Sequence, residues 1–128
     1  MKPAKPQRPK YYDLNLANLP APGLASIFHR ISGALLFLPV IPALLYLMQA
    51  TLGSEAGYLQ WRGVLAMPAV KFVLLGFAWL YAHHFFAGIR YLLLDLHWGI
   101  GKEQARASAK LVFVLGALVT ALVAWRAW

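Results

Sequence analysis

From Phe72 to Ile89 the chain carries no Asp, Glu, Lys or Arg, and its only strongly polar side chains there are the adjacent His83 and His84. A run of this length is read as a helix that enters a lipid bilayer. An ionisable group in such a run is costly, and it usually faces a protein interior, a cavity or a cofactor. The histidine pair is therefore the first candidate site.

Composition supports a membrane protein. The 128-residue chain is 61% hydrophobic and 12% charged, where soluble domains average about 25% charged. We read it as one domain. With no cysteine in the chain, disulfides, thiolate metal sites and covalent c-type haem attachment are excluded. A metal would need His, Met or carboxylate ligands, or would arrive inside a cofactor. The net charge of +8 would suggest nucleic acid in a soluble protein. Here the basic residues form no stripe interleaved with exposed aromatics, and no nucleic-acid partner is expected.

Residues 1–22 are basic and rich in proline (Pro3, Pro6, Pro9, Pro20, Pro22), which rules out a continuous helix. They are expected to form an arm on one membrane face. Three membrane helices follow, over about 24–52, 65–96 and 105–128. Pro39 and Pro42 kink the first, and Gly53–Gly57 makes a short turn after it. Lys71 can snorkel to the interface near the start of the second, and His97–Gln104 connects it to the third. That last helix contains the uncharged stretch Leu111–Trp125 and recurring small residues such as Gly116, Ala117 and Ala121, as in close-packed membrane helices. The predicted fold class is an all-α membrane protein with three transmembrane helices and a basic cytoplasmic N-terminal arm. Nine of the twelve Lys and Arg fall on the side of the arm and the His97–Gln104 connector, which puts the N-terminus in the cytoplasm.

Two constellations carry chemistry. Ser26, His29, Arg30 and Gly33 fall within one ~100° arc of the first helix. In the bland reading, Arg30 snorkels to headgroups, Ser26 caps the helix and His29 sits at the interface. In the functional reading, these residues form a polar pocket for an amphiphile such as a quinone. Ser and Arg would donate hydrogen bonds to its carbonyls, and His would move protons near neutral pH. In the second helix, His84 heads a stripe containing Gly88, Tyr91 and Asp95. A glycine beside a histidine lets a flat macrocycle approach, and imidazole is a common axial ligand of haem iron. A hydrogen-bonded histidine between helices fits the same pattern. His83 points about 100° away and cannot serve the same ligand position. Counting from the helix ends puts His84 ~16 Å deep and His29 only ~9 Å, which argues against His29 as a second axial ligand.

The two segments together resemble a known family. Ser26-Ile-Phe-His29-Arg30-Ile-Ser32-Gly33 is similar to the S-x-x-H-R-x-S-G signature of the cytochrome b membrane-anchor subunits of succinate dehydrogenase (respiratory complex II). His84-Phe-Phe-Ala-Gly88-Ile-Arg90-Tyr91-Leu-Leu-Leu-Asp95 is similar to that family's H-x-x-x-G-x-R-H-x-x-x-D signature. Arg8-Pro9 and Leu14 fit its N-terminal arm.

The resemblance implies a subunit of a succinate:ubiquinone oxidoreductase in the bacterial cytoplasmic (inner) membrane. Its partners would be a second small anchor, an iron–sulfur protein and a flavoprotein, and the isolated chain would not be catalytic. It also implies that His84 is an axial ligand of a haem b shared with the second anchor. Ser26 and Arg30 would line the ubiquinone site, and His29 and Arg30 would lie on the haem propionate side. Tyr91 departs from the family's frequent histidine and takes no ligand role. His83 lies outside the motif and is read as a packing or interface residue. Competing readings are the anchor of a fumarate-reducing or haem-free relative, and a small transporter or purely structural subunit. A transporter should show a buried carboxylate or repeat symmetry, and the chain has neither an acid between Glu55 and Asp95 nor an internal repeat.

Overall fold

A computed structural model describes residues 18–128, and residues 1–17 of the expected arm lie outside them. The described chain folds as α1 (Ala21–Leu35), a π-helical turn (Leu36–Val40), α2 (Ile41–Leu52), α3 (Glu55–Ala66), α4 (Pro68–Asp95) and α5 (Lys102–Ala127). Three stretches are long and apolar enough to cross a membrane: Ala21–Leu52, Pro68–Asp95 and Lys102–Ala127. The architecture is the expected all-α, three-span membrane fold, and no strand occurs among the described residues.

Proline sets most of the boundaries. Pro22 occupies the first turn of α1, where its missing N–H costs no hydrogen bond, so the helix starts at Ala21, ahead of the expected Leu24. Pro39 falls inside the π turn. The wider turn accommodates a residue that cannot donate and whose ring crowds the preceding turn. Met67 precedes Pro68 and is extended (φ −64°, ψ 133°), as the proline ring demands of its neighbour. The second span therefore begins at Pro68, later than the expected Leu65.

The expected turn at Gly53–Gly57 is shorter than its sequence suggested, and α3 follows it. The Ser54 hydroxyl accepts the Gly57 N–H at 3.0 Å, and Glu55 lies in the first turn, two features that favour a helix start. With 12 residues, α3 is too short to cross a bilayer. It packs back on α2, where Tyr46 and Trp61 meet edge to face at 5.8 Å.

The third span starts at Lys102, three residues before the expected Ala105. Its connector is correspondingly tight. His97 (φ 63°) and Gly99 (φ 74°) are left-handed, and the Trp98 N–H reaches the Leu93 carbonyl at 3.0 Å, closing the end of α4.

Helices α4 and α5 form an antiparallel hairpin, with α1 packed across both. Small buried residues, among them Ala25, Ala82, Ala87 and Ala109, let the backbones approach closely. Each end of the hairpin is fastened by a cation. Arg90 Nε donates to Ser108 Oγ at 3.0 Å, and its Nη2 donates to the Ala105 carbonyl at 3.3 Å. At the other end Lys71 Nζ donates to the Ala127 carbonyl at 2.6 Å and lies 5.1 Å over the Trp128 ring. Outside this seam the large apolar side chains are exposed, Leu52 at 79% and Trp125 at 80%, as suits a protein whose solvent is lipid.

The turn between α2 and α3 depends on Gly57, because a Cβ there would run into the Ala50 carbonyl oxygen. Gly57→Ala should cost about 1–3 kcal/mol. A drop in thermal stability of the detergent-solubilised protein, with helical content retained, is the expected result.

Candidate functional site

Helix α1 meets α4 through two histidines and two glycines. The rings of His29 and His84 stack, with centroids 4.3 Å apart and planes 13° from parallel. A Cβ on Gly33 would lie 2.8 Å from His84 Cε1, and one on Gly88 would lie 3.8 Å from His29 Nε2. Each ring thus lies over the glycine of the opposite helix. The sequence suggested that Gly88 opens space beside His84 on its own helix. That space is used by His29, and the notch for His84 comes from Gly33. The depth difference expected between the histidines is also absent. α1 begins earlier than expected, which puts His29 ~12 Å from its helix end, and the remaining offset reflects helix ends that are not level.

The His84 ring is fixed by hydrogen bonds. Its Nδ1 lies 3.1 Å from the His29 carbonyl oxygen and 3.2 Å from Ser32 Oγ. A carbonyl oxygen only accepts, so Nδ1 carries the hydrogen and donates. That leaves the lone pair on Nε2 for a metal or another donor. Ser32 is fully buried and its hydroxyl donates to the same His29 carbonyl at 3.0 Å. Sequence reasoning gave Ser32 no role. The available signal was its place in the S-x-x-H-R-x-S-G pattern, because a short hydroxyl side chain beside a glycine can bond its own backbone without filling the helix interface.

His84 is half-buried. It lines a cavity of about 400 Å³ with Tyr81 and Phe85 of α4, and with Gly33 and residues of the π turn and α2. The π turn contributes Leu36, Phe37 and Val40 to the wall. Tyr91 tilts over the far side of His29, with centroids 5.2 Å apart.

The other predicted residues are arranged differently. Ser26 is half-buried and Arg30 exposed on α1, and among the described residues neither is hydrogen-bonded to the histidine pair. His83 is fully buried in an aromatic enclosure. Its ring stacks on Trp79 at 5.2 Å and contacts Phe113 at 4.9 Å and Phe28 at 5.9 Å. Its geometry is that of a packing residue. Both of its ring nitrogens lack a hydrogen-bond partner among the described residues. No group of three or more His, Cys, Asp or Glu able to hold a bare metal ion occurs among the described residues.

Gly33→Ala should push the His84 ring off its acceptor, since the Cβ–Cε1 approach is shorter than real contacts allow. The expected cost is about 1–3 kcal/mol. Nitrogen-15 NMR of the histidine rings should show the His84 Nδ1–H lost as the single tautomer.

Comparison with known proteins agrees with the three-span membrane fold. The family model described as succinate dehydrogenase/fumarate reductase transmembrane subunit matches residues 4–124. The chain is 33% identical over 123 residues to a protein of Coxiella burnetii (strain RSA 493 / Nine Mile phase I) named succinate dehydrogenase cytochrome b556 subunit, a match covering 95% of this chain and 98% of that protein. Three membrane-length helices, the first two meeting at a histidine–glycine contact, are thus found in a chain that belongs to the transmembrane subunits of succinate dehydrogenase and fumarate reductase.

Proposed function

We propose that this chain is the cytochrome b anchor of a succinate:ubiquinone oxidoreductase, with His84 Nε2 as one axial ligand of a haem b. The observation that carries this reading is the bond from His84 Nδ1 to the His29 carbonyl. It selects the tautomer a ligand needs, orients the ring and raises the basicity of Nε2. The glycine at 33 seats the His84 ring, and the cavity beside it supplies room for a flat group. Haem would supply a one-electron store within the membrane.

The opposite axial ligand would come from a second anchor subunit. His29 would not hold the same group from its other face, because its ring is stacked on His84 itself. His29 and Arg30 would lie toward the haem propionates. An iron–sulfur protein and a flavoprotein would dock on the cytoplasmic side, where the N-terminus and most basic residues would lie. Ubiquinone would bind near Ser26 and Arg30. There the Ser26 hydroxyl donates a hydrogen bond to a quinone carbonyl, and Arg30 steadies the negative charge that accumulates on the oxygens. Arg30 is exposed, which suits a site drawing protons from water.

His84→Leu, expressed with the partner subunits, should abolish the b-type band in a reduced-minus-oxidised spectrum. An unchanged band with normal assembly overturns the ligand assignment. Ser26→Ala and Arg30→Leu should raise the KM for a short-chain ubiquinone about 5- to 10-fold each, the worth of one hydrogen bond. Succinate oxidation with a soluble artificial acceptor should be unaffected.

A further inference from the structure

Arg90 is 6% exposed, and its partners, the Ser108 hydroxyl, the Ala105 carbonyl and the Tyr91 ring 5.3 Å from its guanidinium, are all neutral. A guanidinium carries five N–H donors, so donors remain. No carboxylate pairs with Arg90 among the described residues, where the ion pair is Arg106 with Glu103 at 3.5 Å. A full positive charge inside a membrane helix calls for an anion or water.

A groove of about 260 Å³ between α4 and α5 adjoins this charge. Its walls are apolar, formed by Ile89 and Leu93 of α4 and by Leu111 and Leu115 of α5. Trp98, in the connector, borders it at the end nearest the helix termini. At ~100° per residue, Ile89, Arg90 and Leu93 fall on the side of α4 roughly opposite His84. The groove is therefore separate from the histidine cleft and turned away from α1. Arg90 lies ~7.5 Å in from the Asp95 end of the helix, within reach of the headgroup layer for a donor on a long side chain.

We propose that the groove binds a membrane phospholipid with an anionic headgroup. The phosphate oxygens accept from the spare Arg90 donors, Trp98 borders the headgroup, and an acyl chain lies along Phe86, Ile89, Leu111 and Leu115. Leu93 lies on the connector side of the charge, and Phe86, Ile89, Leu111 and Leu115 extend from it toward the bilayer interior. This polarity matches a lipid, and a small free anion would have no use for the walls. Basic pockets between membrane helices commonly take anionic lipid heads in this way. The proposal does not depend on haem or quinone binding.

The test uses the protein purified with its partner subunits, delipidated in detergent, and titrated with phosphatidylglycerol, with phosphatidylcholine of the same chains, and with inorganic phosphate. Native mass spectrometry counts bound lipid and thermal unfolding follows its effect. Phosphatidylglycerol should bind about fivefold more tightly than phosphatidylcholine, the preference expected from one basic residue near the surface. Arg90→Gln should lose the preference, and Arg90→Lys should keep it. Because Arg90 also fastens α4 to α5, Leu111→Trp gives an independent check: it fills the groove, leaves the arginine in place and should remove the bound lipid. Equal binding of the two lipids overturns the proposal, as does a preference that survives Leu111→Trp. Complete competition by inorganic phosphate also overturns it, because it marks a free-anion site. So does protection of the groove by a partner chain with no lipid bound.

Discussion

The hydrogen bond from His84 Nδ1 to the His29 carbonyl joins two helices across their shared apolar interface. An imidazole inside a bilayer must satisfy its N–H or pay heavily for leaving it unmade. Here the acceptor is a backbone carbonyl of α1, already shared with the Ser32 hydroxyl. The pairing fixes the distance between α1 and α4, and the two rings can stack only because glycine stands opposite each. The cavity beside His84, the burial of Ser32 and the tilt of Tyr91 follow from that separation.

Lipid as solvent explains what the rest of the surface does. A water-soluble chain of this size would bury its leucines and phenylalanines, whereas this one buries alanines along a narrow seam and leaves the large side chains outside. With no hydrophobic drive between helices, the seam depends on close packing and on a few polar fasteners. Arg90 and Lys71 act at the two ends of the α4–α5 hairpin. Among the described residues α2 has no such fastener to the hairpin and packs against α3 after the π turn. The first span is thus the one most in need of cover from lipid or another subunit.

The spans were legible in the sequence because uncharged runs such as Phe72–Ile89 report bilayer length directly. Their edges were less so, since proline can open a helix as readily as it breaks one: Pro22 and Pro68 stand in first turns. α3 was missed because Gly57, Gln60, Arg62 and Gly63 interrupt any apolar periodicity, while Ser54 starts the helix through a local bond. At the candidate site, the S-x-x-H-R-x-S-G segment and the His84–Gly88 spacing contain the four residues, His29, Gly33, His84 and Gly88, that meet between α1 and α4. Which glycine faces which ring was not legible, because periodicity orders residues around one helix and says nothing of the register between two. The same limit concealed Ser108, whose link to Arg90 depends on how α5 slides along α4.

The shared carbonyl has a consequence for how the protein matures. His84 belongs to the second span, yet the group that selects its tautomer belongs to the first. Without the first span alongside, the imidazole has no such carbonyl acceptor and both nitrogens compete for the proton. Only when the first span is laid alongside does Nδ1 become the donor and Nε2 the free base. Under the ligand role proposed for it, His84 is therefore readied only by the packing of the first span on the second, and a chain with its first span misinserted carries an undirected histidine.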